Sequence, residues 1–137
     1  MNNEEKILSI LEKKKLNEEE KLVLNSILRE DPAAAIWGPV TVDAGLRILQ
    51  INGKPPLQTG DPPGRPYMLA GIHVMEPAVL DAIPPGPGSI IDVYHALLGK
   101  GLLLRGWRMS GYWSDIGTRE RYEQAERDAA EGRPAIL

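Results

Sequence analysis

The placement of glycine and proline constrains this chain more than any other feature of its sequence. Residues 1–30 contain neither, whereas the remainder carries all 14 glycines and 12 prolines, concentrated in residues 54–66 and 84–88. Helix interiors tolerate both residues poorly and turns favour both, so this distribution predicts a helical opening followed by a turn-rich body. Apolar runs separate the two clusters, which argues for a folded body and against disorder.

The opening segment has the apolar spacing of amphipathic helices. Apolar side chains recur at intervals of three and four in two places: Ile7, Leu8 and Leu11, and then Leu24, Ile27 and Leu28. Asn17 followed by Glu20 matches a capping box, which favours a helix start between the two apolar groups. We therefore predict two short helices, or one helix broken near residues 16–17.

Charge and cysteine content exclude several classes of function. The net charge is −3, so there is no basic surplus to neutralise a phosphate backbone, and we expect no nucleic-acid partner. Without cysteine, disulfides, thiolate metal sites and cysteine nucleophiles are excluded. No apolar run approaches the roughly 18–20 residues of a membrane span, and the polar first residues are unlike a signal peptide. We expect a cytoplasmic protein with no membrane partner.

Beyond residue 31 the sequence alternates between strand and helix patterns. Strands are predicted in residues 36–43, 46–51, 67–75 and 102–109, with a hairpin turn at Ala44 and Gly45. Helices are predicted in residues 77–82, 90–98 and 119–131, the last two capped by Ser89 and Thr118. Residues 111–118 are expected to form a short strand and a loop. The result is a mixed α/β fold.

Few residues have the types and spacing of a known catalytic group. His73 lies mid-strand and His95 mid-helix, so core or interface positions are favoured over a catalytic pair. The sequence has no G-x-S-x-G or H-E-x-x-H motif. The segment at residues 86–89 is short for a phosphate loop, and Pro87 lacks an N–H that such a loop needs.

The densest chemical signal is the segment G-Y-W-S-D-I-G-T at residues 111–118. Asp115 stands there between aromatic residues and a Gly-Thr pair that begins a helix. Such a carboxylate can hold Mg²⁺ beside phosphates, since this ion commonly takes one or two carboxylates together with water and phosphate oxygens. The spacing alone favours a simpler interpretation, in which Asp115 forms a turn and Thr118 caps the helix.

This motif and several other segments together resemble the sequence of a known family. Residues 27–135 resemble the C-terminal half of the sugar-phosphate nucleotidyltransferases, the family that makes nucleotide sugars and includes mannose-1-phosphate guanylyltransferases. The matching segments occur in the family's order: R-E-D-P at 29–32, W-G-P-V at 37–40, G-K-P at 53–55, A-G-I-H-V at 70–74, I-D-V-Y at 91–94 and the motif at 111–118. Each segment is weak alone, and the combination is specific.

The resemblance implies a fold and a set of roles. The family fold is a three-layer α/β sandwich with a Rossmann-like N-terminal half; residues 27–137 would be its C-terminal part, and residues 1–26 a separate helical segment. The family joins a sugar 1-phosphate to a nucleoside triphosphate and releases pyrophosphate. By resemblance, Lys54 contacts the sugar phosphate, Gly71 lets the sugar approach, and Asp115 is one ligand of Mg²⁺. Gly53 stands where the family has glutamate.

The family's nucleotide-binding half has no counterpart in this sequence. Its G-x-G-T-R loop, its P-K-P segment and its second metal aspartate are all absent. Three hypotheses remain open. The first is a sugar-phosphate half-site that is inactive alone, and the second is a non-catalytic binding or regulatory module that pairs with a full-length homologue or a separate N-terminal half. The third is an inactive structural hybrid. Without the N-terminal half, we expect one apolar face of the sheet to be uncovered. We expect either the helices of residues 1–30 or a second copy in a homo-oligomer to pack on it.

Overall fold

The computed structural model describes residues 3–13, 22–31, 34, 38–61 and 64–133. The elements, in chain order, are α1 (Asn3–Lys13), β1 (Leu22–Arg29), β2 (Val40–Val42), β3 (Ile48–Ile51), β4 (Arg65–Met75), α2 (Pro77–Asp81), α3 (Ile90–Gly99), β5 (Leu103–Arg108) and α4 (Arg119–Ala130). No helix within these ranges is both long and apolar enough to cross a membrane.

The five strands form one sheet in the order β3-β2-β4-β1-β5. Strands β1 and β5 are parallel, and the other neighbours are antiparallel. The long strand β4 pairs with β2 over its first three residues and with β1 over the remainder. The β1–β4 register shifts between the pairs Ser26–His73 and Leu28–Leu69, which leaves two extra residues in β4. Gly71, with φ of +81°, lies in this bulge, where its lack of a Cβ permits the backbone conformation.

One face of the sheet is covered by helix α3. Ser89 caps this helix, since its hydroxyl accepts a hydrogen bond from the Ile91 N–H at 3.2 Å. The buried core joins α3 to the sheet through Val93, Tyr94, Leu97, Tyr67, Leu28 and Leu104. Helix α1 packs against α2 and α3 and adds Ile7 to this core. The hydrophobic core therefore lies on one side of the sheet, between the strands and helices α1 and α3.

The opposite face carries exposed apolar side chains, as the sequence analysis predicted. Ile72 and Val74 of β4 are 58% and 69% exposed, and Trp107 of β5 is 68% exposed. Helix α1 does not cover them, because it packs with α2 and α3 on the buried side. The expectation that the opening helices cover this face is wrong for α1, and residues 14–21 lie outside the described part.

The mixed α/β fold class is confirmed, but the secondary structure predicted for one segment is wrong. The second helix expected before residue 30 is instead strand β1 at Leu22–Arg29, between β4 and β5. A short apolar run does not separate a buried strand from a helix by its periodicity, and pairing on both sides decides the matter here. The capping residue predicted for that helix, Asn17, lies outside the described residues. Strand β1 crosses the boundary predicted between residues 26 and 27.

Two turns flank β3, and only the first was predicted. At Ala44 and Gly45, the Asp43 carboxylate accepts hydrogen bonds from the N–H groups of Gly45 and Arg47, at 2.8 and 2.9 Å. At the other end, Asn52 and Gly53 have φ of +53° and +75°, and Ile51 and Lys54 pair on either side of them. An Asn-Gly pair with both φ positive is typical of a tight hairpin turn, which explains the glycine at position 53.

Candidate functional site

The loop after β5 folds back over the bulge of β4. The indole N–H of Trp113 donates a hydrogen bond to the Ala70 carbonyl at 3.1 Å, and Ala70 is buried next to the bulge residue Gly71. The Arg29 guanidinium lies 4.4 Å from the centre of a Trp113 ring, within the range of a cation–π contact. Arg29 also forms a 2.8 Å ion pair with Asp31. These contacts attach the loop to β4 and β1.

A polar cavity lies beside this loop. It has a volume of about 390 Å³ and is lined by Arg29, Glu30, Met109, Gly111, Tyr112 and Trp113. Its walls follow the carboxyl ends of β1 and β5, which run parallel. Ligands of α/β sheets characteristically bind in crevices at the carboxyl ends of the strands. This cavity is therefore a candidate ligand site at that end of the sheet.

The backbone at Gly71 is open to a ligand. An added Cβ would meet no heavy atom within 4 Å, and the residue is exposed. The φ of +81° disfavours any residue with a side chain there. Gly71 thus presents bare backbone at the bulge, which is compatible with the close approach of a sugar that the resemblance implies.

Asp115 is held at the start of α4 by two hydrogen bonds. One carboxylate oxygen accepts from the Gly117 N–H and the other from Arg121 Nη1, both at 2.7 Å. Thr118 caps α4 by accepting from the Arg121 N–H at 3.3 Å. The expected short strand in residues 111–118 is wrong, since the segment is a loop that leads into the capped helix.

Whether Asp115 belongs to a complete metal site depends on how many other metal-ligating side chains lie near it. The oxygen ligands of Asp115 suit Mg²⁺ in type, and the side chain is half exposed. Both oxygens already accept hydrogen bonds, and no group of three or more His, Asp or Glu residues able to hold a metal occurs in the described ranges. The residues described here therefore do not form a complete metal site.

Lys54 lies apart from the other two predicted site residues. It is exposed, and it follows the Asn52-Gly53 turn at the edge of the sheet beyond β3. Register places it opposite Ile51, whose other neighbour Val40 pairs with Tyr67 of β4. Three strand spacings correspond to about 14 Å between Lys54 and Tyr67. The structure brings the Asp115 loop to the Gly71 bulge and leaves Lys54 separate.

The turn that carries Lys54 is fixed by two side chains. The Ile51 carbonyl accepts a hydrogen bond from His95 Nε2 of α3 at 2.8 Å. The Gln50 amide donates to the carbonyls of Gly53 and Pro55, at 3.2 and 2.8 Å. His95 is thus a structural histidine in the half-buried layer under α3, in agreement with its sequence interpretation.

A tyrosine contact joins the loop to α4. The Tyr112 hydroxyl donates a hydrogen bond to Asp128 at 2.8 Å. This bond raises the pKa of Tyr112 and lowers the pKa of Asp128, because it favours the neutral phenol and the charged carboxylate. Helix α4 has no buried residue, so such surface contacts hold it to the loop.

Sequence reasoning missed Arg29, Glu30 and the role of Trp113. It treated Trp113 as part of a motif around Asp115, whereas its ring carries the contacts with Arg29 and Ala70. A usable signal existed for Arg29 and Glu30, because charged residues at the end of an apolar segment favour an exposed position. That signal was hidden by the expectation of a helix in the same segment.

Comparison with known proteins supports a family assignment. The family model described as nucleotidyl transferase matches residues 3–132. Mannose-1-phosphate guanylyltransferase of Mycobacterium tuberculosis is 33% identical over 105 residues, which are 74% of this chain and 27% of that protein. Valienol-1-phosphate guanylyltransferase of Streptomyces hygroscopicus is 42% identical over 45 residues, which are 33% of this chain and 12% of that protein. The chain thus spans about a quarter or less of these relatives.

Solved structures give the same fold. A protein described as a glucose-1-phosphate thymidylyltransferase from Bacillus anthracis, in complex with sucrose, aligns with a TM-score of 0.55 at 25% identity, over 86% of this chain and 46% of that one. A CMP-2-keto-3-deoxy-manno-octonic acid synthetase with CTP aligns with a TM-score of 0.51 at 12% identity, over 95% and 68%. The second likeness concerns the fold alone. Because the family model matches almost all of its length, the chain belongs to the nucleotidyl transferase family.

Proposed function

We propose that this chain carries the sugar-phosphate half of a nucleotidyltransferase site. The observation that carries the proposal is the Trp113–Ala70 hydrogen bond, which brings the loop of Asp115 to the open backbone of Gly71. The polar cavity beside Trp113 gives a sugar ring room at the carboxyl ends of β1 and β5. The guanylyltransferase relatives, named for mannose 1-phosphate and valienol 1-phosphate, support a sugar-phosphate ligand.

In this proposal each site residue has a positioning role. Gly71 lets the sugar lie against the backbone. Lys54, which lies apart from Gly71 in the structure, is kept as a contact of the sugar phosphate on the resemblance alone. The reaction class is the attack of a sugar 1-phosphate on the α-phosphate of a nucleoside triphosphate, with release of pyrophosphate. Its catalysis rests on orienting the two phosphates and offsetting their charge, with no covalent intermediate. We also retain the expectation of a cytoplasmic location as part of this proposal.

Asp115 is proposed as one Mg²⁺ ligand in a larger site. Its second oxygen is engaged by Arg121 at 2.7 Å, so that ion pair has to open before a metal binds. The remaining ligands would be phosphate oxygens, water and a carboxylate from outside the described residues. We therefore expect no tight Mg²⁺ binding by this chain alone.

The chain is proposed to be inactive by itself. It has no G-x-G-T-R segment to hold a triphosphate. Each missing phosphate contact of this kind removes about 3–4 kcal/mol of transition-state stabilisation. Purified chain with Mg²⁺, a nucleoside triphosphate and mannose 1-phosphate should release no pyrophosphate above background, and robust release without a partner would contradict the proposal.

Binding of the sugar phosphate tests the half-site directly. Mannose 1-phosphate and mannose are titrated into the chain by calorimetry, and only the phosphate ester is expected to bind measurably. Lys54→Gln should weaken that binding about tenfold through the lost charge-assisted contact. The matched control is Lys6→Gln, which removes another exposed lysine, on α1. Equal affinity in the Lys54 variant and the control would refute the assignment of Lys54.

The exposed apolar face favours a second candidate, a non-catalytic module that pairs with another polypeptide. Ile72, Val74 and Trp107 lie on the sheet face opposite α3, and exposed apolar patches of this kind mark contact surfaces. Mixing the chain with the N-terminal half of a homologous enzyme separates the candidates. Pyrophosphate release by the mixture supports the half-site, and binding without release supports the module. If the two polypeptides neither bind nor release pyrophosphate, the structural hybrid remains.

A further inference from the structure

A pair of arginines converges on one carboxylate at the edge where β1 ends. Strand β4 is antiparallel to β1, and β5 is parallel to it, so β4 begins and β5 ends at this edge. Arg65 is the first residue of β4, Arg108 is the last of β5, and Glu30 directly follows β1 between them. The sheet topology itself therefore brings the two guanidinium groups together.

The two guanidinium groups share Glu30 loosely. Arg65 Nη2 lies 3.7 Å and Arg108 Nη1 lies 3.6 Å from the same oxygen of Glu30. Both distances exceed that of a hydrogen bond, and the three side chains are more than half exposed. One carboxylate thus faces two cations without forming a close bond to either. Arg29, by contrast, has its own carboxylate, Asp31, at 2.8 Å.

A cavity of about 190 Å³ opens between these arginines. It is lined by Asp43, Ala44, Leu46, Arg65, Tyr67 and Arg108. Leu46 and the buried Tyr67 give the lining of this cavity an apolar part. The acidic lining residue, Asp43, has one oxygen engaged by the N–H groups of Gly45 and Arg47, at 2.8 and 2.9 Å. These bonds partly neutralise the carboxylate that would otherwise repel an anion.

We propose that Arg65 and Arg108 form a binding site for a phosphate group, as inorganic phosphate or as a phosphate monoester, in the cavity over Tyr67. A tetrahedral oxyanion presents several oxygens and accepts charge-assisted hydrogen bonds from two guanidinium forks at once, which Glu30 does not do here. The ligand displaces Glu30 from between the forks. The site uses neither Lys54, Gly71 nor Asp115, although Glu30, which the ligand displaces, also lines the polar cavity of the proposed sugar-phosphate site.

The arginine side-chain signals of the full chain give a local measurement. In ¹⁵N-labelled protein, the Nε–H resonances of Arg65 and Arg108 are assigned from Arg65→Gln and Arg108→Gln. Sodium phosphate is titrated with sodium chloride held at constant ionic strength, and mannose 1-phosphate in a second series. Both resonances should shift in a saturable manner, while that of Arg119, which pairs with Glu123 on α4, should not.

The arginine variants and the Glu30 variant should change the affinity for phosphate in opposite directions. Each arginine variant should weaken phosphate binding about tenfold, and Arg119→Gln should not change it. Glu30→Gln should tighten binding several-fold, because the carboxylate that competes for the two guanidinium groups loses its charge. Comparable shifts in the two titrations indicate that the phosphate group alone is recognised, whereas tighter binding of the ester indicates that the sugar also contacts the cavity.

Two results would overturn the proposal. One is the absence of saturable shifts at Arg65 and Arg108 in the wild-type chain, a measurement that does not depend on any variant folding. The other is unchanged or weaker binding in Glu30→Gln with a wild-type amide spectrum. Lys54→Gln separates this site from the proposed function, because it should leave the arginine shifts intact. Loss of those shifts in Lys54→Gln would refute an independent site.

Discussion

The contact between β1 and β5 predicts a strong energetic coupling between Gly106 and Leu28. A Cβ added at Gly106 would lie 2.0 Å from Leu28 Cδ1 and 2.7 Å from its Cγ. Leu28 has no exposed surface, so its side chain has no free space into which it can turn. Gly106→Ala should therefore overpack the core and destabilise the chain by about 1–3 kcal/mol.

The second mutation removes the atoms that clash. Leu28→Ala alone should cost about 2–5 kcal/mol, because it deletes a fully buried side chain and leaves a cavity. In that background the methyl group of Gly106→Ala enters vacated space and should cost close to nothing. The double variant should thus be more stable than the sum of the single changes by about 1–3 kcal/mol.

Urea unfolding followed by tryptophan fluorescence measures this coupling. All four proteins should have similar slopes, so that midpoint shifts convert directly to free energies. Gly88→Ala is the matched control, since an added Cβ there meets nothing within 4 Å, and its effect should stay within about 0.5 kcal/mol. Additive costs at Gly106 and Leu28 would refute the packing of β1 against β5, and with it the strand assignment of residues 22–29.

Three further predictions concern single residues. Gly71→Ala should cost about 1–2 kcal/mol in unfolding free energy, because φ is +81° although space for a Cβ exists; a change near zero would contradict the left-handed backbone. Burial lowers the pKa of His73 below 6.5, so the unfolded chain protonates first and thermal stability should fall as pH drops below about 6.5. His73→Gln should reduce this dependence, and an unaltered pH profile would refute it. Tyr112→Phe should raise the pKa of Asp128 towards 3.8, as followed by carboxyl NMR titration; an unchanged pKa would show that the hydrogen bond is absent.

Local signals predicted most elements of the fold. Ser89 and Thr118 cap α3 and α4, because their hydroxyl oxygens accept hydrogen bonds from backbone N–H groups. Both helix starts could therefore be predicted from the sequence. Strand β4 was predicted from its apolar run between prolines, within two residues of its bounds. Strand β1 was not, because its pairing between β4 and β5 depends on distant residues. The Asn52-Gly53 turn, by contrast, was available from the dipeptide alone.

The candidate site was only partly predictable for a related reason. Motif resemblance selected Asp115 and Gly71, and the Trp113–Ala70 bond connects their segments across 43 positions of sequence. No sequence pattern encodes that bond, since it depends on the loop folding back over β4. Nor did the resemblance place Lys54, whose distance from the bulge follows from the width of three strand spacings. Motifs identify residue types, and the sheet register decides which of them meet.

The misread segment determines the chemistry of the sheet edge. As a helix, residues 22–30 would have carried Arg29 and Glu30 on a solvated surface with no fixed relation to β5. As strand β1, the segment delivers Arg29 to Trp113 and Glu30 to a point between Arg65 and Arg108. Both the polar cavity and the arginine pair therefore require β1 between β4 and β5. A variant that displaces β1 should disturb both cavities, whereas Lys54, whose turn rests on Gln50 and His95, should keep its local structure.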